Sequence, residues 1–304
     1  MNDHRIHLTR VVAASLLLLA AAAASAGNLR ERIAARRAAS AAVAEAPLPP
    51  GTRVLRDLPY GDDPRQRFDV YLPADAHDAP LIVFVHGGAW AIGDKDNPGV
   101  VPNKAAYWLP KGFAFVSVNY RMLPEAEPLT QADDVAHALA AVQRLAPEWN
   151  ADPARVVLMG HSAGAHLVTL LGADPARLTA AGAQAPRGVV ALDSAAMNVV
   201  QIMQFPRHFG FYDRAFGSDP AYWTAASPYH ALTAASLPLQ AVCSTQRADS
   251  CPQARAFAGK ARELGVRVDV LPEDLSHAQI NHELGAPSAY TDAVGRFVAA
   301  LVGR

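Results

Sequence analysis

Gly160-His161-Ser162-Ala163-Gly164 lies between two apolar runs, 156–159 and 165–171. This pattern predicts a buried strand, a very tight turn and a helix, with a serine at the tip. The flanking glycines let strand and helix backbones approach closely. A serine hydroxyl is a weak nucleophile at neutral pH. It needs a base to take its proton, an acid to orient that base, and N–H donors for the oxyanion that forms. A source of donors follows another apolar run, 81–85, in His86-Gly87-Gly88-Ala89-Trp90. The N–H groups of Gly87, Gly88 and Ala89, with that of Ala163 after the serine, are the candidate oxyanion hole.

The elements that must position these residues follow from hydrophobic patterning. Strands are expected at 52–58, 67–72, 81–85, 114–118, 156–159, 189–192, 239–242 and 266–271. The runs at 81–85 and 114–118 are apolar throughout, as in strands buried on both faces. Helices are expected at 103–109, 131–145, 252–264 and 290–302, besides the one after Ser162. Strands alternating with helices imply an α/β architecture, a doubly wound and mostly parallel sheet. Such sheets bind ligands at the carboxyl ends of their strands. The stretch at about 194–236 has no clear period but many aromatics, and reads as an insertion that forms a pocket wall or partial cap.

The 304 residues are 51% hydrophobic and 18% charged, with a formal net charge of −1. That composition suits one globular domain and gives no reason to expect nucleic acid as a partner. Residues 1–26 read as a signal peptide: a basic start, an apolar run at 11–24, and Ala24-Ser25-Ala26 as the cleavage site. The apolar run is too short to span a bilayer. Export to the periplasm or medium is expected, without a stable membrane anchor. Residues 27–51 read as an alanine- and arginine-rich arm and linker, and 52–304 as the catalytic domain. Cys243 and Cys251 are an even pair in an exported chain, which favours a disulfide. No Walker loop, dinucleotide fingerprint or metal-ligand cluster is evident, so no cofactor or metal is expected.

His86-Gly87-Gly88-Ala89-Trp90, Gly93-Asp94-Lys95, Ser117-Val118-Asn119-Tyr120-Arg121 and Gly160 to Leu167 together resemble the α/β-hydrolase superfamily. The similarity is to the branch of carboxylesterases and arylformamidases that carry HGGxW, relatives of the acetyl esterases. The resemblance implies the order serine, acid, histidine. It places the base at His277, in the loop after the last strand, with His282 as the fallback. It places the acid at Asp249, the one carboxylate in the loop after 239–242, with Asp193 as its rival and Asp269 behind both. The usual Gly-x-x-Asp pattern is missing there, and the two cysteines bracket Asp249. A bond between them would pin the loop that aims Asp249 at His277. His86, His161 and His166 are expected to pack around the oxyanion loop and elbow, and Trp90 to line a substrate pocket.

The expected function is an exported serine carboxylesterase that hydrolyses small carboxylic esters through an acyl-serine. The alternative within the same chemistry is an arylformamidase acting on an N-formyl amide of the formylkynurenine type. The alternative of another class is a non-catalytic binding protein on the same fold. Acyl preference and oligomeric state are not encoded in any readable pattern.

Overall fold

Apolar strands long enough to be buried on both faces must stack side by side and take helices above and below. Nineteen strands and helices follow in a computed structural model that describes residues 46–304. The expected signal peptide at 1–26 and residues 27–45 of the expected arm lie outside the described residues. In chain order the elements begin β1 (Arg53–Pro59), β2 (Arg67–Leu72), β3 (Ala79–Val85), α1 (Pro102–Trp108), β4 (Ala114–Val118) and α2 (Pro128–Leu145). Then come β5 (Ala151–His161), α3 (Ala163–Ala173), α4 (Pro175–Ala180) and β6 (Gly188–Leu192). Four short helices follow: α5 (Val199–Gln204), α6 (Gly210–Phe216), α7 (Pro220–Ala225) and α8 (Pro228–Ala231). The chain ends with β7 (Leu239–Ser244), α9 (Ser250–Glu263), β8 (Val268–Glu273), α10 (His277–His282) and α11 (Ala289–Leu301).

The eight strands make one sheet in the order β1-β2-β4-β3-β5-β6-β7-β8. β1 and β2 are antiparallel additions at one edge, and the strands from β4 to β8 run parallel. Alternation sends successive side chains to opposite faces. Thus Val83 and Val85 of β3 join the core under α2, α3 and α9, while Ile82 and Phe84 join the core under α1 and α11. Phe84 is fully buried, and truncating it to alanine would cost about 3–5 kcal/mol. Pro272 is accommodated because β8 is an edge strand.

The insertion after β6 had no readable period because its helices are only four to seven residues long. Two of them start from side-chain caps, Asn198 on Gln201 N–H and Asp219 on Ala221 N–H. Among the described residues, no helix is long and apolar enough to cross a membrane.

Candidate active site

β5 and β6 are parallel neighbours, with His161 opposite Leu192 in register. The residues after them, Ser162 and Asp193, therefore emerge together at the carboxyl edge of the sheet. Ser162 N–H donates to the Leu192 carbonyl at 3.0 Å, and Asp193 N–H to the Val242 carbonyl at 2.8 Å. The elbow is tight: Ser162 has φ +56° and ψ −115°. A Cβ on Gly164 would lie 2.2 Å from the Val85 carbonyl oxygen, and one on Gly160 would lie 2.5 Å from the Gly164 carbonyl oxygen. No other residue fits either position without moving backbone.

His277 is the first residue of α10. Ser276 caps that helix through a capping box with Gln279, which fixes the backbone from which the imidazole projects. His161 adds a second hold, its buried Nε2 lying 2.9 Å from the His277 carbonyl oxygen. His277 Nε2 lies 2.9 Å from Ser162 Oγ, and its Nδ1 lies 2.5 Å from Asp193 Oδ2. The carboxylate requires the proton on Nδ1, which leaves Nε2 free to accept from the serine hydroxyl.

The expectation for the acid is corrected here. Asp249 does not reach His277. It stands at the start of α9 with its side chain 43% exposed, both oxygens 3.3 Å from Arg247 Nη2. Asp193 is fully buried instead, one strand over. Burial alone pushes its carboxyl up, but the bond from His277, the Arg247 guanidinium, and donors from Ser250 and Ser244 outweigh this. They hold it well below the usual carboxylate range.

The bond Cys243–Cys251 is present. The loop it closes does not aim Asp249, as expected, but grips Asp193. Ser244 N–H and Ser250 Oγ–H donate to Asp193 Oδ1 at 2.8 and 2.5 Å, and Arg247 Nη1 donates to Oδ2 at 2.9 Å. Arg247 and Ser250 were not foreseen as site residues. Their only sequence signal was their place within the cysteine bracket.

The oxyanion loop is anchored from below. His86 stacks on Tyr120 at 4.6 Å, donates from Nδ1 to the Gly87 carbonyl, and receives the Tyr120 hydroxyl on its own carbonyl. Lys95, farther along, spans Asp57 and Asp69 at 2.9 and 3.1 Å, tying the loop to the first two strands. Gly88, Ala89 and Ala163 border the cleft beside Ser162. Gly87 lies behind the serine, where a Cβ would meet Ser162 Cβ at 2.9 Å.

Trp90 lines the cleft and is also packed, 3% exposed, among His166, Tyr212 and Phe216. Its Nε1 donates to His166 Nδ1 at 3.2 Å, while His166 Nε2 donates to the Ala226 carbonyl. Burial lowers His86 and His166 to about 4 and pushes His161 well down, so all three are neutral at pH 7. His282 lies away from the site against Gly99, and its carbonyl accepts from Asn103.

The cleft over Ser162 holds about 420 Å³. Much of its wall is apolar, with Ile92, Ala195, Phe209 and Phe211 prominent, while Ser194 and Arg247 add polar groups to it. A serine–imidazole–carboxylate relay whose carboxylate is fully buried, beside backbone donors, can perform acyl transfer on a neutral carbonyl. Among the described residues, no group of three or more His, Cys, Asp or Glu is placed to hold a metal ion.

Residues 68–189 match the BD-FAE family model. The chain is 34% identical over 116 residues to a probable isoprenylcysteine alpha-carbonyl methylesterase of Oryza sativa subsp. japonica, covering 38% of this chain and 27% of that protein. It is 30% identical over 268 residues to Esterase LipQ of Mycobacterium tuberculosis, covering 82% of this chain and 62% of that protein. A kynurenine formamidase of Danio rerio is 32% identical over 121 residues, covering 40% of this chain and 39% of that protein. The chain thus spans between 27% and 62% of the length of these curated relatives. Among solved structures, a truncated carbohydrate esterase from gut microbiota superposes with a TM-score of 0.73 at 17% identity, covering 86% of this chain and all of that one.

Proposed function

We propose that this chain, which belongs to the α/β-hydrolase superfamily, is an exported serine carboxylesterase acting on small neutral esters. The observation that carries the reading is the continuous relay from Ser162 Oγ through His277 to Asp193, at 2.9 and 2.5 Å. Ser162 Oγ attacks the ester carbonyl carbon as His277 Nε2 takes its proton. Asp193 stabilises the imidazolium. N–H groups of Gly88, Ala89 and Ala163 receive the oxyanion, each such donor contributing roughly 3–4 kcal/mol to the transition state. The C–O bond to the alcohol then breaks, and His277 returns the proton to the departing oxygen. Water, deprotonated by the same imidazole, attacks the acyl-serine and releases the acid.

The apolar cleft supports neutral acyl groups. Arg247 is the cation on the cleft wall, and Asp193 and Asp249 already neutralise it. Export rests on the composition of residues 1–26.

A second reading, arylformamidase, draws on the likeness to the Danio rerio formamidase and on Gly160 to Leu167. Purified protein offered short-chain p-nitrophenyl esters beside N-formylkynurenine separates the two. The esterase reading expects the esters to give the higher kcat/KM. A formamide preference of tenfold or so would reverse the assignment.

A further inference from the structure

We infer that a second groove, beside the cleft over Ser162, receives the alcohol part of the ester and favours alcohols that end in an uncharged aromatic group. The inference rests on the serine-hydrolase reading above and deepens it.

The groove holds about 400 Å³ between the insertion and the start of α9. That lies within the range of roughly 300–1,000 Å³ found for small-molecule sites. Phe209 and Tyr212 line both this groove and the cleft over Ser162, so the two cavities are neighbours across one aromatic wall. Phe209 also stacks on Phe211 of the cleft at 5.5 Å, which carries the aromatic surface from one into the other. Among the described residues, four large apolar side chains are exposed. Three of these, Ile92, Phe205 and Phe209, border the two cavities. Apolar surface gathered at one place favours a ligand that covers it.

Gln201, Gln253, His208 and Asp249, polar groups on the groove, are already engaged. Gln253 accepts from Asn198 N–H at 2.7 Å and donates to Gln201 at 3.3 Å, and His208 pairs with Asp213 at 2.8 Å. Asp249 is held by Arg247. What the groove offers a ligand is therefore its apolar face, made by Ile202, Phe205, Phe209 and Pro252. Across the two cavities the guanidiniums of Arg207 and Arg247 balance the carboxylates of Asp193 and Asp249, which gives no preference for a charged ligand. Arg207 instead favours the face of an aromatic ring.

The order of groups around Ser162 decides which part of the ester reaches the groove. The oxyanion turns toward Gly88, Ala89 and Ala163, and the departing oxygen must face His277 Nε2 to receive its proton. Arg247 Nη1 lies 3.0 Å from His277 Nδ1, and Asp249, on the groove, lies 3.3 Å from Arg247 Nη2. The groove thus opens on the imidazole's side of the serine, the side toward which the alcohol leaves.

The test compares wild type with F205A, which removes part of the wall, and A256W, which fills the groove from α9. Phenyl acetate and 4-phenylphenyl acetate share an acyl group and have leaving groups of similar acidity, so the ratio of their kcat/KM values reads the groove. Wild type is expected to favour the longer alcohol by about tenfold or more. Each variant should lower that ratio by about fivefold or more. Phenyl hexanoate against phenyl acetate reads the acyl side, and that ratio should be alike in all three proteins. Wild type that turns over phenyl acetate without preferring the longer alcohol overturns the inference and leaves the nucleophile intact. So does a preference that either folded variant keeps in full. If only the acyl-side ratio responds, the groove takes the acid and the alcohol assignment is overturned. Phe205 and Ala256 are both exposed, and if one variant fails to fold the other decides. Wild type that turns over none of the three esters overturns the serine-hydrolase reading itself, and this inference with it.

Discussion

Ser162 and Asp193 stand at the ends of adjacent parallel strands, both with positive φ, +56° and +54°. Neither is glycine, so each holds a conformation that costs of order 1–3 kcal/mol. The strain turns both side chains out of the strand direction and toward the same imidazole. Replacing Ser162 by glycine removes the Cβ that causes its share. Ser162→Gly is therefore expected to be more stable than Ser162→Ala by about 1–2 kcal/mol. Urea unfolding of the two variants checks this; equal midpoints would mean that the elbow is not strained at the serine.

Asp193 and Asp249 make opposite predictions. Asp193→Asn keeps the shape but permits the wrong imidazole tautomer, and should lower kcat by about 10⁴-fold. Asp249→Asn touches only Arg247, and should change kcat by less than about tenfold near neutral pH. Ester hydrolysis by both variants decides between the carboxylates, and the reverse ranking would return the acid role to the loop after β7.

Why the sequence pointed to the wrong carboxylate is a matter of geometry. Ser162 and the oxyanion loop are legible because tight turns after buried strands demand glycines at fixed positions. His277 is legible from its place after the last strand. The acid is not, because β6 and β7 are parallel neighbours ending at the same edge, and a carboxylate after either can reach the ring. Asp193 directly follows a wholly buried strand, the physical signal in its favour. Asp249 lies five residues beyond β7, at the start of a helix, where Arg247 two positions earlier engages it. The strand order and the cap helices needed tertiary contacts that no local period encodes.

Stability should fall as pH drops from about 6.5 to about 4. His86 and His166 are held neutral by burial, with folded pKa values near 4. Their ordinary value is 6.5, so within this window the unfolded chain binds protons that the folded chain does not. Each histidine then contributes a loss of about 1.4 kcal/mol per pH unit, and His161 acts in the same direction. Asp193, depressed when folded, adds its loss only below about pH 4. Urea midpoints at several pH values check the slope; a flat profile between pH 7 and 4 would contradict it.

Cys243–Cys251 closes the loop that supplies all three protein donors to Asp193 other than His277. Replacing both cysteines by serine should lower stability by about 2.5 kcal/mol from loop entropy and lower kcat as the grip on Asp193 loosens. Melting temperature and kcat are the readouts, and unchanged values in both would show that the bond is idle.

The central claim is that Ser162 is the nucleophile. It is tested most directly by kcat/KM for p-nitrophenyl acetate in wild type and Ser162→Ala, with melting temperatures alongside. The account predicts turnover by the wild type, at least about 10⁴-fold less by the variant, and an intact fold in both. Undiminished turnover by folded Ser162→Ala would contradict it.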